Sequence, residues 1–425
     1  MAESAVPEEA VYGATDFQEI ATFDDVRFVL RSKLFEQVGP DDGYPRVGLQ
    51  QQIIGDSVVM LRGEHHAERR QLESVLFRRS TLLMYERELV RPRLERTLKR
   101  LAESRDVDGV ARADLNELSR DMLLQLMLTL SGIVLETPAE EQRFGELFGT
   151  LDSGSRVRHA VDGEKALREG LDAQRQFERE FFRPAWQRHE ELLAEVESGA
   201  RAEGELPNDL ITLMLRNPDH FSAWDEGVRL REATLYVIAS VGTTTRELCL
   251  AVDAIERWIE SHPEDAGKRT DEEFLERAFE ESLRVHQSIP SVGRVAVADV
   301  TLPSGLTVAA GETVRVNLLA ANREVAGDRA EEFDPYRAAP SRGTRHGLAF
   351  SDGRHICIGK MLVLGDDQDG AGARRGTAMT ALLELYGAGM RRDATREPVL
   401  KDTLTRRFET YPVVFENLDE GGSRE

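Results

Sequence analysis

Apolar residues recur at spacings of three and four through "RELVRPRLERTLKRLAES" and "LNELSRDMLLQLMLTLSGIVL", the period of a helix with one buried face. A longer stretch, "VRLREATLYVIASVGTTTRELCLAVDAIERWIESHPE", is close to apolar throughout its middle and ends at a proline. That length and hydrophobicity predict a helix buried through the centre of the protein. The period shortens to alternation in "GRVAVADVTLPSGLTVAAGETVRVNLLAAN", with turns at Pro303-Ser304-Gly305 and Ala310-Gly311, which predicts a small antiparallel sheet. "RRFETYPVVFEN" adds a second strand-like patch near the end. The fold class is therefore mainly α with small antiparallel β-sheets. Without a repeat or a long linker, residues 1–425 read as one domain, with 418–425 a frayed tail.

One segment breaks the helical pattern. "LGDDQDGAGARRGTAM" interrupts the helix that would follow Cys357, and its Gly and Asp content predicts a loop over 365–376. Its aspartates do not form a calcium loop, because position twelve counted from Gly365 is Gly376 and not a bidentate glutamate.

Charge and cysteine usage narrow the partners. A net charge of −22 disfavours nucleic acid and anionic membrane, both of which repel such a surface. Two cysteines, Cys249 and Cys357, cannot build a disulfide framework, a zinc site or an iron–sulfur cluster of their own. The sequence shows no run of about 18 apolar residues, and its start lacks the basic and apolar regions of a secretory signal. A cytoplasmic monomer that does not associate with membranes is the expectation.

Cys357 lies within "LAFSDGRHICIGKML", between glycines and beside a histidine. A thiolate at neutral pH needs electropositive surroundings, which a helix N-terminus supplies through unpaired N–H groups and the positive end of its dipole. "CIGKMLVL" can begin such a helix, His355 and Arg354 add donors or charge, and Gly353 and Gly359 can let the backbone approach a flat ligand. A lone cysteine is more often a small buried hydrophobe. Here the neighbours tell against that.

Phe350, Gly353, His355, Cys357 and Gly359 are five fixed residues in ten, and "FSDGRHICIG" resembles the haem-binding loop of the cytochrome P450 family. The resemblance implies that Cys357 is the iron ligand of haem b (iron protoporphyrin IX), that Phe350 packs beside the sulfur and that His355 meets a propionate. Other motifs follow in the family's order. Glu281 and Arg284 of "FEESLR", with Arg337 of "EEFDPYR", resemble a structural Glu–Arg–Arg cluster holding the cysteine loop. His65 and Arg69 of "GEHHAERRQL" resemble a propionate-binding H-x-x-x-R pair on one helix face, the doubled histidine leaving the register open. Arg294 of "IPSVGRVA" is expected at the other propionate, and "AANREV" matches a stretch common before the loop.

The long central helix resembles the family's distal helix, which carries a small residue, an acid and a threonine beside bound oxygen. This chain reads Ala239-Ser240-Val241-Gly242-Thr243-Thr244, so Thr243 falls at the alcohol position and Gly242 at that of the acid. Proton delivery would then need Thr243 with water, the substrate itself, or Glu247 reached through solvent. Either a modified relay or a less usual reaction follows. Ser240 and Gly242 are also placed to widen or distort the helix over the haem. Stretches near Leu49–Met60, Ala239–Thr243, Pro290–Gly293 and Phe408–Pro412 match substrate-contact regions. Only about twenty residues precede "ATFDDVRFVLRSKLF", so the family's N-terminal elements are expected to be shortened.

By resemblance the chain is a bacterial-type monooxygenase acting with O2 on a small or medium apolar organic substrate. Only 68 residues follow Cys357 in the chain of 425, so electrons are expected from a separate ferredoxin and its NAD(P)H-dependent reductase. Arg354, Lys360, Arg374 and Arg375 are candidates for a locally basic docking patch. The alternatives are a peroxide-using, desaturating or coupling enzyme of the same family, and a haem-binding protein without turnover.

Overall fold

The computed structural model describes residues 17–39, 41–42, 45–157, 160–222, 227–366, 375–403, 406–416 and 418. Arg374, most of the 365–376 segment and nearly all of the tail lie outside them. The predicted central helix runs unbroken from Gly227 to Ser261 and buries residues on almost every face between Glu232 and Glu256. Its most apolar stretch is long enough to cross a membrane, but 83% of that stretch is buried within the protein. The helix is therefore the centre of the main core, packed against the Leu115–Ser131 and Glu272–Val285 helices.

Local signals set the ends of these helices. Leu115–Ser131 starts where the Asp114 side chain accepts from the Glu117 N–H and stops at Gly132, which adopts φ 85°. Pro138–Ser155 starts with a reciprocal capping box between Thr137 and Glu140. Helix Glu272–Val285 is capped by Asp271, whose side chain accepts from the Phe274 N–H.

A four-stranded sheet has the order Gln18–Ile20, Thr313–Asn317, Ser291–Ala296, Phe35–Gln37. Ser291–Ala296 and Thr313–Asn317 pair antiparallel, as the alternation predicted, Phe35–Gln37 joins the first of them antiparallel, and Gln18–Ile20 pairs parallel with the second. Both edge strands, Gln18–Ile20 and Phe35–Gln37, come from the other end of the chain, which local alternation cannot register, and only the first runs parallel to its neighbour. Beneath it, Val26, Val29, Phe35, Val314, Val316 and Leu348 form a second core. Leu348 carries this core directly into the segment leading to Cys357. Near the end, Pro412–Phe415 is the middle strand between Ala111–Asp114 and Met390–Arg392, while Phe408–Thr410 pairs with Val399–Leu400.

The expected break after Cys357 is present. One helix covers Lys360–Leu364 and another Gly376–Gly387, and the two pack together. A Cβ on Gly376 would collide with the Gly365 backbone, so the two ends of the inserted segment meet.

Candidate functional site

Cys357 lies just before the Lys360–Leu364 helix, and its N–H donates to the Phe350 carbonyl at 2.9 Å, closing the loop. Its accessible area classes it as exposed, yet dense protein around the sulfur pushes the thiol up from its ordinary value. Against burial stand the Gly359 N–H, the Arg70 guanidinium and the Lys360 N–H, each favouring the thiolate.

The two loop glycines act differently from each other. Gly353 adopts φ 69°, and a Cβ there would strike the Leu30 carbonyl. Its freedom serves close packing against the Phe23–Arg31 helix. Asp352 fastens the same contact by accepting from Arg27 at 3.0 Å and Arg31 at 2.9 Å. Gly359 does face the sulfur, with its Cβ position 3.8 Å from Cys357 Sγ. Phe350 packs edge-on to His346, with ring centroids 5.4 Å apart.

The H-x-x-x-R register shifts by one residue from the expected His65 and Arg69. His65 is exposed, whereas His66 is buried and stacks on His355 with centroids 3.8 Å apart. Arg69 points away from the loop. It pairs with Glu232 at 2.5 Å, donates to the His220 carbonyl and lies over the Phe221 ring. Arg70 instead reaches the cysteine loop, donating to the Ile356 carbonyl at 2.6 Å. Arg294 is buried in the four-stranded sheet and donates to the Gly293 carbonyl at 2.7 Å. Burial, then Arg70, Arg354 and Arg294, holds His66 down to about 4. Burial, then Arg294, His66, Arg354 and Arg70, holds His355 down to about 2. Both rings are therefore neutral at pH 7 in a strongly electropositive pocket.

Glu281, Arg284 and Arg337 come together. Glu281 accepts from Arg284 at 2.7 and 2.8 Å and from Arg337 Nε at 3.0 Å. The remaining guanidinium donors go to backbone carbonyls, among them Ala330 for Arg284 and Arg329 for Arg337. A relay continues toward the cysteine segment. Asn322 donates to Gln287, Gln287 donates to the Leu348 carbonyl, and the Leu348 N–H donates back to Asn322.

On the long helix, Ala239 is exposed, and Ser240 and Thr243 are half-buried in an otherwise buried run. These three share one face. Thr243 Oγ1 donates to the Ala239 carbonyl at 2.6 Å. The helix stays regular here, so Ser240 and Gly242 do not distort it. Gly242 is buried, and a Cβ there would lie 2.5 Å from both Asp152 Oδ1 and Arg156 Nη2. A carboxylate from the Pro138–Ser155 helix thus occupies the space a side chain at 242 would need. Burial raises the Asp152 carboxyl, but Arg156 and Arg407, at 2.8 and 3.0 Å, outweigh it and hold it below the usual range. Glu247 is not reached through solvent. It is buried, accepts from Arg246 and Ser288, and burial raises its carboxyl; its Oε2 has no hydrogen-bond partner among the described residues.

Three of the expected docking cations lie among the described residues. Arg354 turns inward to the Ser32 and Phe35 carbonyls, Arg375 pairs with Glu272 at 2.6 Å, and Lys360 is half-buried. Cys249 is fully buried in the long helix, and burial pushes its thiol up.

The sequence reading missed a pair of buried carboxylates behind the histidine helix. Glu73 and Glu232 are fully buried; Tyr236 donates to Glu73 at 2.7 Å, and Arg69 and the Val58 N–H serve Glu232. Burial first, and the mutual proximity of the two groups, raises Glu73 well above the usual value, and burial raises Glu232 to about 7. A folded pKa above the unfolded one gives stability that is complete below about 4.5 and is lost as pH rises through about 7. Urea unfolding from pH 5 to 8 should therefore show falling stability, with a maximum slope of about 1.4 kcal/mol per pH unit per proton. Glu73→Gln should flatten that fall. An equal slope in the variant would remove the pair as its cause.

The profile of the family described as Cytochrome P450 matches residues 254–363. Among curated relatives, a Mycobacterium tuberculosis protein named as a cytochrome P450 140 is 31% identical over 214 residues, covering 49% of this chain and 44% of its own. Cytochrome P450 105C1 of a Streptomyces species is 36% identical over 158 residues, 36% of each chain. The matched stretches thus span less than half the length of these relatives. The crystal structure of CalO2 superposes with a TM-score of 0.67 at 21% identity, over 96% of this chain and 93% of its own. That of CYP109E1 from Bacillus megaterium in complex with testosterone gives 0.62 at 19% identity, over 94% and 93%. At these identities the two structures establish the fold.

Proposed function

We propose that the chain is a haem-thiolate monooxygenase of the cytochrome P450 family, whose profile matches residues 254–363, with Cys357 as the axial ligand. The observation that carries this reading is the sulfur itself: accessible, fed by two backbone N–H groups and fixed in a loop tied to three parts of the fold. The residues present suit haem b. His66, Arg70, Arg294, Arg354 and His355 gather basic and neutral donors at one place in a chain of net charge −22, which matches the two propionates. Bound haem supplies the activation of O2 that lets one oxygen atom enter an apolar organic substrate, with electrons drawn from NAD(P)H through a ferredoxin and its reductase.

The chain's own residues hold, screen and move protons. The Gly359 and Lys360 N–H groups favour the anionic form of the sulfur, against the burial that pushes its thiol up. Thr243 donates its proton back to Ala239, which leaves its oxygen free to accept from a water on the Ser240 face. Glu281, Arg284 and Arg337 act at a distance, as the frame of the loop. A second reading, in which peroxide is used or the substrate is desaturated or coupled, rests on Gly242, which carries no acid and whose place is taken by Asp152, already engaged by Arg156 and Arg407.

Reduced protein under carbon monoxide should give the red-shifted absorption of thiolate ligation, and Cys357→Ser should abolish it. A haem-loaded variant with an unchanged spectrum would sink the assignment. Thr243→Ala should lower product formed per NAD(P)H consumed. Unchanged coupling there, or equal turnover with peroxide alone, would favour the second reading.

A further inference from the structure

Behind the long helix lies a cavity of about 170 Å³, bounded by the Leu115–Ser131, Pro138–Ser155 and Gly227–Ser261 helices and the segment around Phe408. Gly242 and Thr245 line it. Three positions apart, they occupy a helix face turned roughly 100–200° from that of Thr243, so the cavity lies on a different side of the helix from Ala239, Ser240 and Thr243. Its size is close to that of an engineered core cavity that takes one benzene, about 150 Å³. Phe148 and Phe408 give it apolar walls.

Its polar lining is unbalanced. Arg120, Lys401 and Arg407 line the space, opposed by Asp152 and Glu409. Asp152 already serves Arg156 and Arg407, and Glu409 is exposed. Neither Arg120 nor Lys401, both half-buried, forms an ion pair among the described residues. Burial and the neighbouring Arg407 charge lower the Lys401 amine, the direction a nearby anion would reverse. Thr245 is 3% exposed, and its hydroxyl has no hydrogen-bond partner among the described residues. A buried hydroxyl without a partner in a roomy cationic pocket is a group awaiting a ligand.

We propose that this cavity binds a small carboxylate of about benzoate size, its charge taken by Arg120 and Lys401, its oxygen met by the Thr245 hydroxyl, and its organic part covered by Phe148 and Phe408. A neutral ligand would leave the cations unanswered, and a cation would be repelled by them. The carboxylate can belong to a free effector or to the charged end of a longer substrate that passes the edge of the helix.

The test uses haem-loaded protein at constant ionic strength. Benzoate should raise the thermal midpoint, and benzamide, of the same shape without the charge, should not. Lys401→Ala and Arg120→Gln should each weaken benzoate at least about tenfold. Thr245→Val, close in shape, guards against variants that fail merely through misfolding and should also weaken it. An unchanged haem absorption on benzoate binding identifies a free effector. A haem shift by a longer aryl-alkyl carboxylate, lost in Lys401→Ala, identifies a substrate end. No rise with benzoate, an equal rise with benzamide, or full affinity in Lys401→Ala and Thr245→Val would overturn the proposal.

Discussion

Glu281→Ala is expected to destabilise the protein by roughly 3–5 kcal/mol, the range for removing one partner of a buried ion cluster. Glu281 accepts from two guanidiniums and, at 3.3 Å, from the Asp334 N–H. Its loss leaves Arg284, whose side chain is 3% exposed, charged and facing nothing on that side. Arg337 is better hydrated at 17% and contributes less. The damage should also reach Cys357, because the same helix end carries Gln287, which holds the Leu348 carbonyl. Replacing Glu281, Arg284 and Arg337 together with apolar residues of similar volume should cost less than Glu281→Ala alone, since no charge is then stranded. Denaturant unfolding of the two variants decides it. A single-variant loss below about 1 kcal/mol, the scale of an exposed pair, would show that water reaches the cluster and that it does not frame the loop.

What could be read in advance follows from how far each signal reaches along the chain. The cysteine loop was legible because its chemistry is compressed into ten residues, from Phe350 to Gly359. The long helix was legible because burial on nearly all faces shows as unbroken hydrophobicity. The histidine register was not. "HHAERR" offers His65–Arg69 and His66–Arg70 at the same spacing, and both place the two residues on one face. The choice is made by Glu232, 163 residues away, which takes Arg69 and leaves Arg70 to the loop. The parallel edge strand was hidden for the same reason, its partner lying 296 positions along the chain at Val314. The partners of Arg354 and Arg375, the Phe35 carbonyl and Glu272, were hidden in the same way, each lying far along the chain.

Gly242 is the position where sequence and structure differ most in what they explain. By resemblance it reads as a missing acid. The geometry supplies the reason: Asp152 Oδ1 and Arg156 Nη2 already stand 2.5 Å from where any Cβ would be. Gly242→Asp is therefore expected to destabilise the protein by roughly 3 kcal/mol or more, through overpacking and through a second carboxylate beside Asp152. Gly242→Ala isolates the steric part and should cost about 1–3 kcal/mol. The arginine can swing away, but Asp152 is a short side chain pinned by Arg156 and Arg407, so most of the collision cannot relax. Removing it should rescue the variant: Asp152→Ala with Gly242→Asp returns one carboxylate to two guanidiniums from the opposite helix. The coupling between these sites, from unfolding of both single variants and the double, should favour the double by at least about 1 kcal/mol. Additive losses would mean that the two residues do not share the space, and that a glycine at 242 needs another explanation.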